Sequence, residues 1–222
     1  MTLVVAVAGR NEIVIGADGI CPIGDDDGQY VIESQKLRRV LKDKWVAGIA
    51  GTRSGCTLLE KAGATNQENL FDLSARMAEI YKAEYSVELR LVFAGFEDGK
   101  PSLYTWNGLM WANGTPHVNG LTQAEEGRVA VGIRKHGALH FMHAYHSVDM
   151  NVNQLASLCH YCLSEAVRQD ARLGSPISMA VISRNGITDL DENQLKVLQV
   201  SSTRRKNKIG KLFLKDISDL LR

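Results

Sequence analysis

Apolar and polar positions fall into short runs from the second residue onward. Leu3 to Ala8 and Ile13 to Ala17 are apolar and rich in β-branched residues, and Gly9-Arg10-Asn11-Glu12 separates them. That pattern predicts two strands joined by a turn. An acidic, glycine-bearing loop from Gly24 to Gly28 leads to extended pieces at Gln29 to Ile32 and Lys36 to Leu41, and Trp45 to Gly51 reads as a fifth strand. Helical spacing follows over Cys56 to Gly63 and, past the break at Ala64 to Gln67, over Leu70 to Tyr85. Strands are then predicted at Glu88 to Phe96, Pro101 to Trp106, Leu109 to Ala112 and Val129 to Val131, helices at Gly137 to His146 and Val152 to Ala171, and strands at Ile177 to Ser183 and Leu195 to Val200. Blocks of strands alternating with pairs of helices predict antiparallel sheets with helices packed outside them, an α+β layered fold.

Composition narrows the class. With 222 residues, 45% hydrophobic and 23% charged, residues 1–222 are expected to form a single domain. The net charge is +1, and the basic cluster from Ser201 to Lys208 reads as a solvated surface segment, so no nucleic-acid partner is expected. No apolar run reaches the roughly 18 residues of a membrane helix, so no membrane partner is expected either. No basic region precedes the first apolar run, which argues against a secretory signal and for the cytoplasm. Cys21, Cys56, Cys159 and Cys162 are too scattered for a disulfide framework. Cys159 and Cys162 share one face of a predicted helix with Leu155 and Leu158 and read as core residues rather than metal ligands.

The first hairpin carries the candidate chemistry. Pairing about the Gly9 to Glu12 turn brings the far ends of the two strands, Thr2 and Asp18, together. Threonine is small enough for methionine aminopeptidase to remove Met1 before it. Thr2 would then carry an α-amine of unperturbed pKa about 7.7–8.0, able to take the proton from its own hydroxyl. A terminal threonine is thus a nucleophile with a built-in base.

The series Thr2, Ala17-Asp18, Gln35-Lys36-Leu37-Arg38-Arg39-Val40 and Ala47-Gly48-Ile49-Ala50-Gly51 resembles the β-type proteasome subunits, which are N-terminal-nucleophile threonine hydrolases. The likeness continues through Leu91 to Phe96, Pro101 to Tyr104, Ala130-Val131-Gly132 and Ala166 to Asp170, then Gly174 and Met179 to Ile182. The resemblance implies a four-layer αββα sandwich, and a stand-alone bacterial homologue, of the betaproteobacterial kind, fits best. It implies Thr2 as nucleophile, Lys36 as the cation beside its hydroxyl, Asp18 as the anchor of Lys36, and the Gly51 N–H as oxyanion donor. Asp170 matches the second acidic residue near the amine, and Cys21, Ser34, Ile49 and Arg53 match the pocket for the side chain before the cleaved bond. No cofactor is implied.

Three departures stand against that pattern. Ile133 and Leu173 occupy positions of serines that surround the amine, and Pro22 lacks the backbone N–H that pairs with a substrate strand. Weaker peptide binding and a less firmly oriented base are therefore expected. The resemblance implies self-assembly into two stacked rings, seven subunits each, acting on peptides or unfolded protein; an unfoldase partner is unassigned. His136, His140 and His143 share one helical face with His146 a turn on, and the expectation is a pH-sensitive ring contact rather than a metal site. Two other outcomes share the fold: a scaffold or peptide-binding ring without turnover, and an amide hydrolase or transpeptidase for small molecules.

Overall fold

The computed structural model describes residues 2–23, 30–33, 35–51, 54–85, 87–110 and 115–220, with the side chains of 21–23, 30–33, 110 and 209–220 left aside. The expected opening hairpin forms. β1 (Leu3–Ala8) pairs antiparallel with β2 (Glu12–Ala17) in the register Val4 opposite Ala17 to Ala8 opposite Ile13. β3 (Ile20–Ile23) and β4 (Tyr30–Glu33) form a separate two-stranded ribbon. β5 (Leu37–Val40) and β6 (Trp45–Ala50) then open the second sheet. Helices α1 (Ser54–Lys61) and α2 (Leu70–Glu84) follow, the latter capped by the Asn69 side chain, which accepts from the Asp72 N–H.

The chain returns as β7 (Leu89–Glu97), β8 (Lys100–Met110), β9 (Pro116–Gln123) and β10 (Arg128–Gly132). Then come α3 (Lys135–Tyr145), α4 (Val152–Gln169), β11 (Ser178–Ser183), β12 (Gly186–Asp189) and α5 (Glu192–Leu220). One five-stranded sheet runs β10-β1-β2-β11-β12 and the other β5-β6-β7-β8-β9, every pairing antiparallel.

Two-residue periodicity divides the strands between layers. On β1, Leu3, Val5 and Val7 pack against α3 and α4, while Val4, Ala6 and Ala8 face the opposite sheet. On β7, Leu89, Leu91 and Phe93 pack under α1 and α2, while Val92 and Ala94 face inward. Alanines at 6, 8, 17, 50 and 94 keep the inter-sheet layer thin. A Cβ at Gly48 would come within 2.5 Å of Val4 Cγ1, so the sheets approach most closely where glycine allows it. The result is the expected four-layer sandwich, helices outside and two sheets within.

Five elements differ from the sequence expectation, two of them the unpredicted short strands β3 and β12. Leu195 to Val200 is helical, inside α5, rather than a strand. Asp191 and Gln194 form reciprocal side-chain to backbone bonds at its start, and Leu195 and Leu198 pack inward three residues apart while Val197 and Val200 stay exposed. Capping and period-3.6 packing outweigh the β preference of the two valines. β9, unpredicted, is a half-exposed edge strand with a weak pattern. Leu109 ends β8, and residues 111–114 lie outside the described segments.

Cys159 and Cys162 are buried in α4 as expected, with both thiols pushed up by burial, Cys162 to about 12. His136, His140 and His143 of α3 are exposed. Arg128 reaches His143 Nδ1 at 2.6 Å, and His146 Nε2 donates to the Ala8 carbonyl at 2.9 Å. Among the described residues no group of three metal-ligating side chains gathers, and no helix is long and apolar enough to cross a membrane.

Candidate active site

The β1–β2 ladder continues one step past its last paired residues. Leu3 donates its N–H to Asp18 Oδ1 at 2.9 Å, and the Asp18 N–H donates to the Leu3 carbonyl at 3.3 Å. Asp18 Oδ2 lies 2.7 Å from Lys36 Nζ, which also donates to the Ile20 carbonyl at 2.5 Å. The Lys36 backbone is held in turn, its carbonyl accepting from the Ile49 N–H at 2.9 Å. Thr2 is 3% exposed, Asp18 0% and Lys36 4%, so a hydroxyl and an ion pair are sealed at one end of an otherwise apolar layer. A buried ion pair confers little net stability over apolar packing. Its presence here points to chemistry.

The other flank of Thr2 is set by β10. The Ile133 N–H donates to the Thr2 carbonyl at 2.8 Å, and Gly132 turns there at φ 103°. A Cβ at Gly132 would fall 1.9 Å from the Thr2 carbonyl oxygen, so only glycine fits. Gly51, ending β6 at φ 132°, sits against the Glu88 carbonyl, where a Cβ would approach to 3.3 Å. A cavity of about 230 Å³ joins these parts, lined by Thr2, Ala50, Gly51, Gly132 and Ile133, with Glu88 just before β7 and Arg90 on it. A larger one, about 780 Å³, runs along the edge strand β5 beneath α1 and holds neither Thr2 nor Asp18.

Asp170 caps α4, its N–H bonded to the Ala166 carbonyl. Its carboxylate accepts from Arg172 through N (3.1 Å), Nε (2.9 Å) and a terminal guanidinium nitrogen (2.8 Å), and from Arg134 Nε at 3.2 Å. The Arg172 guanidinium, aided by Arg134, holds this carboxyl well below the usual carboxylate range against the opposing effect of burial. Arg134 is left-handed (φ 59°) and directly follows Ile133, so Asp170 anchors the turn that bonds the Thr2 carbonyl. Arginines occupy the surroundings of Asp170. Leu173 instead turns into the core beside α4.

Thr2, Asp18 and Lys36 therefore converge, with Gly51 across a small cavity and Asp170 one turn removed. Ile49 does not line that cavity. Its side chain lies on the opposite face of β6, against Gly55 of α1. Met1, Ser34, Arg53 and the Cys21 side chain lie outside the described residues. Glu88 and Arg90 were not anticipated, although a signal exists: in Leu89-Arg90-Leu91-Val92-Phe93-Ala94 a charge occupies the inward-facing parity.

No family model matches the sequence, and no curated protein matches it. Solved structures do resemble the fold. A Gly-1 mutant of Anbu from Hyphomicrobium sp. strain MC1 superposes with a TM-score of 0.74 at 15% identity, over 97% of this chain and 97% of that one. A second structure, of Anbu from the same strain, gives 0.71 at 14% identity, over 96% and 97%. The likeness shows a shared fold, two five-stranded antiparallel sheets between outer helices.

Proposed function

We propose that the chain, residues 1–222 as one domain, is a threonine peptidase whose nucleophile is Thr2 after removal of Met1. The observation that carries this reading is the buried Asp18–Lys36 pair, 2.7 Å apart, set beside a buried threonine at a strand start. The resemblance to β-type proteasome subunits supports the same roles. The freed α-amine takes the hydroxyl proton as Oγ attacks the substrate carbonyl, then delivers it to the departing amine. Water, activated by the same amine, hydrolyses the ester left on Oγ. Lys36, held by Asp18, favours the developing alkoxide, and the Gly51 N–H receives the oxyanion, a donor worth about 3 kcal/mol in comparable sites. Asp170 keeps Gly132 and Ile133 in place through Arg134. The resemblance assigns Cys21, Ser34, Ile49 and Arg53 to the pocket before the cleaved bond.

The same reading places the protein in the cytoplasm as a double ring of two heptamers enclosing the sites, with peptides or unfolded protein as substrate. Heterologous contacts between copies close such rings.

Intact mass of the purified protein should show loss of one methionine. A threonine-directed epoxyketone or lactone should add to it covalently, and Thr2→Ala should abolish the adduct. Retained Met1 together with absent labelling sinks the proposal.

A further inference from the structure

Thr2 has two flanks, because β1 lies between β2 and β10. Asp18, Gly19 and Lys36 belong to the β2 flank, and Cys21, which the resemblance assigns to the pocket before the cleaved bond, follows them in β3. The 230 Å³ cavity opens on the β10 flank, between Gly51 and Ile133, where the departing amine would leave. Its only cation among the described lining residues is Arg90.

Arg90 stands on β7 opposite Ala50 of β6, one step from the proposed oxyanion donor. It follows the inward parity of Val92 and Ala94, just as Thr2 follows that of Val4 and Ala6. The two polar residues therefore end the inter-sheet layer in the same cavity. Arg90 pairs with Glu88, its same-face neighbour two residues back, while Glu88 is 51% exposed. Half-exposed pairs of this kind are weak and readily exchanged. A guanidinium offers a planar fork matched to a carboxylate. An incoming carboxylate can thus take the place of Glu88.

We infer that Arg90 is a specificity residue that reads a carboxylate on the residue immediately after the cleaved bond. This rests on the Thr2 reading above. The carboxylate has two sources, the free C-terminus of a short peptide or an acidic side chain within a longer one.

Four peptides identical up to the cleaved bond separate these: one ending one residue later as the free acid, its amide, and two longer chains carrying Asp or Ala there. At least one carboxylate peptide should exceed its neutral partner in kcat/KM by about tenfold, as expected for a hydrogen bond to a charged group. The acid–amide pair reports a terminal carboxylate and the Asp–Ala pair a side chain. Arg90→Gln should abolish the preference by slowing only the carboxylate peptide, Arg90→Lys should restore part of it, and Glu88→Gln should lower KM for that peptide. Equal rates in both pairs, or a preference that survives Arg90→Gln in folded protein, overturn the inference.

Epoxyketone labelling of Thr2 needs no contact with Arg90 and should persist in Arg90→Gln, which separates this failure from failure of the nucleophile. Calorimetry with the dipeptides Gly-Ala and Gly-Asp and their C-terminal amides on Thr2→Ala protein provides a readout independent of turnover. At least one acid should bind more tightly than its neutral counterpart through Arg90, and equal binding throughout overturns the inference.

Discussion

Asp18 accepts the Leu3 N–H with one oxygen and meets Lys36 with the other, both residues almost wholly removed from water. Removing one partner leaves a buried charge uncompensated. Asp18→Ala or Lys36→Met alone should each destabilise the protein by about 3–5 kcal/mol, whereas the double variant should lose less than the sum. Denaturant unfolding of the four proteins measures this coupling, and strict additivity would count against a direct pair. Reactivity should behave differently. Both single variants should lose Thr2 labelling, and the double variant should not regain it, since stability returns with apolar packing but the cation does not.

At the scale of elements, α5 is joined to α4 by a buried polar contact. His160 of α4 is 1% exposed and places Nδ1 3.0 Å from Ser202 Oγ on α5 and 3.1 Å from Ser164 Oγ on its own helix. Burial pushes its imidazole down to about 4 from the ordinary 6.5. The folded state therefore holds the neutral ring while the unfolded chain binds a proton below pH 6.5. The stabilisation is complete above pH 6.5 and is lost as pH falls from there toward 4. The loss is on the order of 3 kcal/mol, from the size of the shift. Thermal unfolding between pH 7.5 and 4.5 should show this slope, and His160→Gln should flatten it. An unchanged slope in the variant would assign the acid sensitivity elsewhere.

At the scale of the whole molecule, apolar surface remains uncovered. Phe71, Tyr145, Val148, Val197 and Val200 are each at least half exposed. Tyr145, Met150, Leu158 and Tyr161 line a cavity of about 430 Å³ between α3, α4 and α5, with Arg205 and Lys208 at its edge. A chain that closes into rings needs such a face. Sedimentation velocity at micromolar concentration should give one large species, and Tyr145→Asp should shift it toward smaller ones. A wild-type monomer would end the ring proposal without touching the nucleophile.

Much of this was legible in the residues alone. Strand and helix periods are local properties, so the opening hairpin, the helix pairs and the α+β layering follow from apolar spacing. The proximity of Thr2 and Asp18 follows from one short turn. Leu195 to Val200 was misread because a run of apolar and polar residues this short fits either period, and the capping pair at Asp191 and Gln194 decided it. Other features exist only through contacts distant in sequence. Lys36 reaches Asp18 across the sandwich, and Arg90 shares the Thr2 cavity because β7 lies beside β6. Asp170 finds Arg134 because α4 returns beside the β10–α3 turn. The sequence by itself determined which faces are apolar, since that depends on neighbours along the chain. Only the tertiary structure decided which polar residues share the end of the inter-sheet layer, because sheet order and packing, not spacing, bring them together.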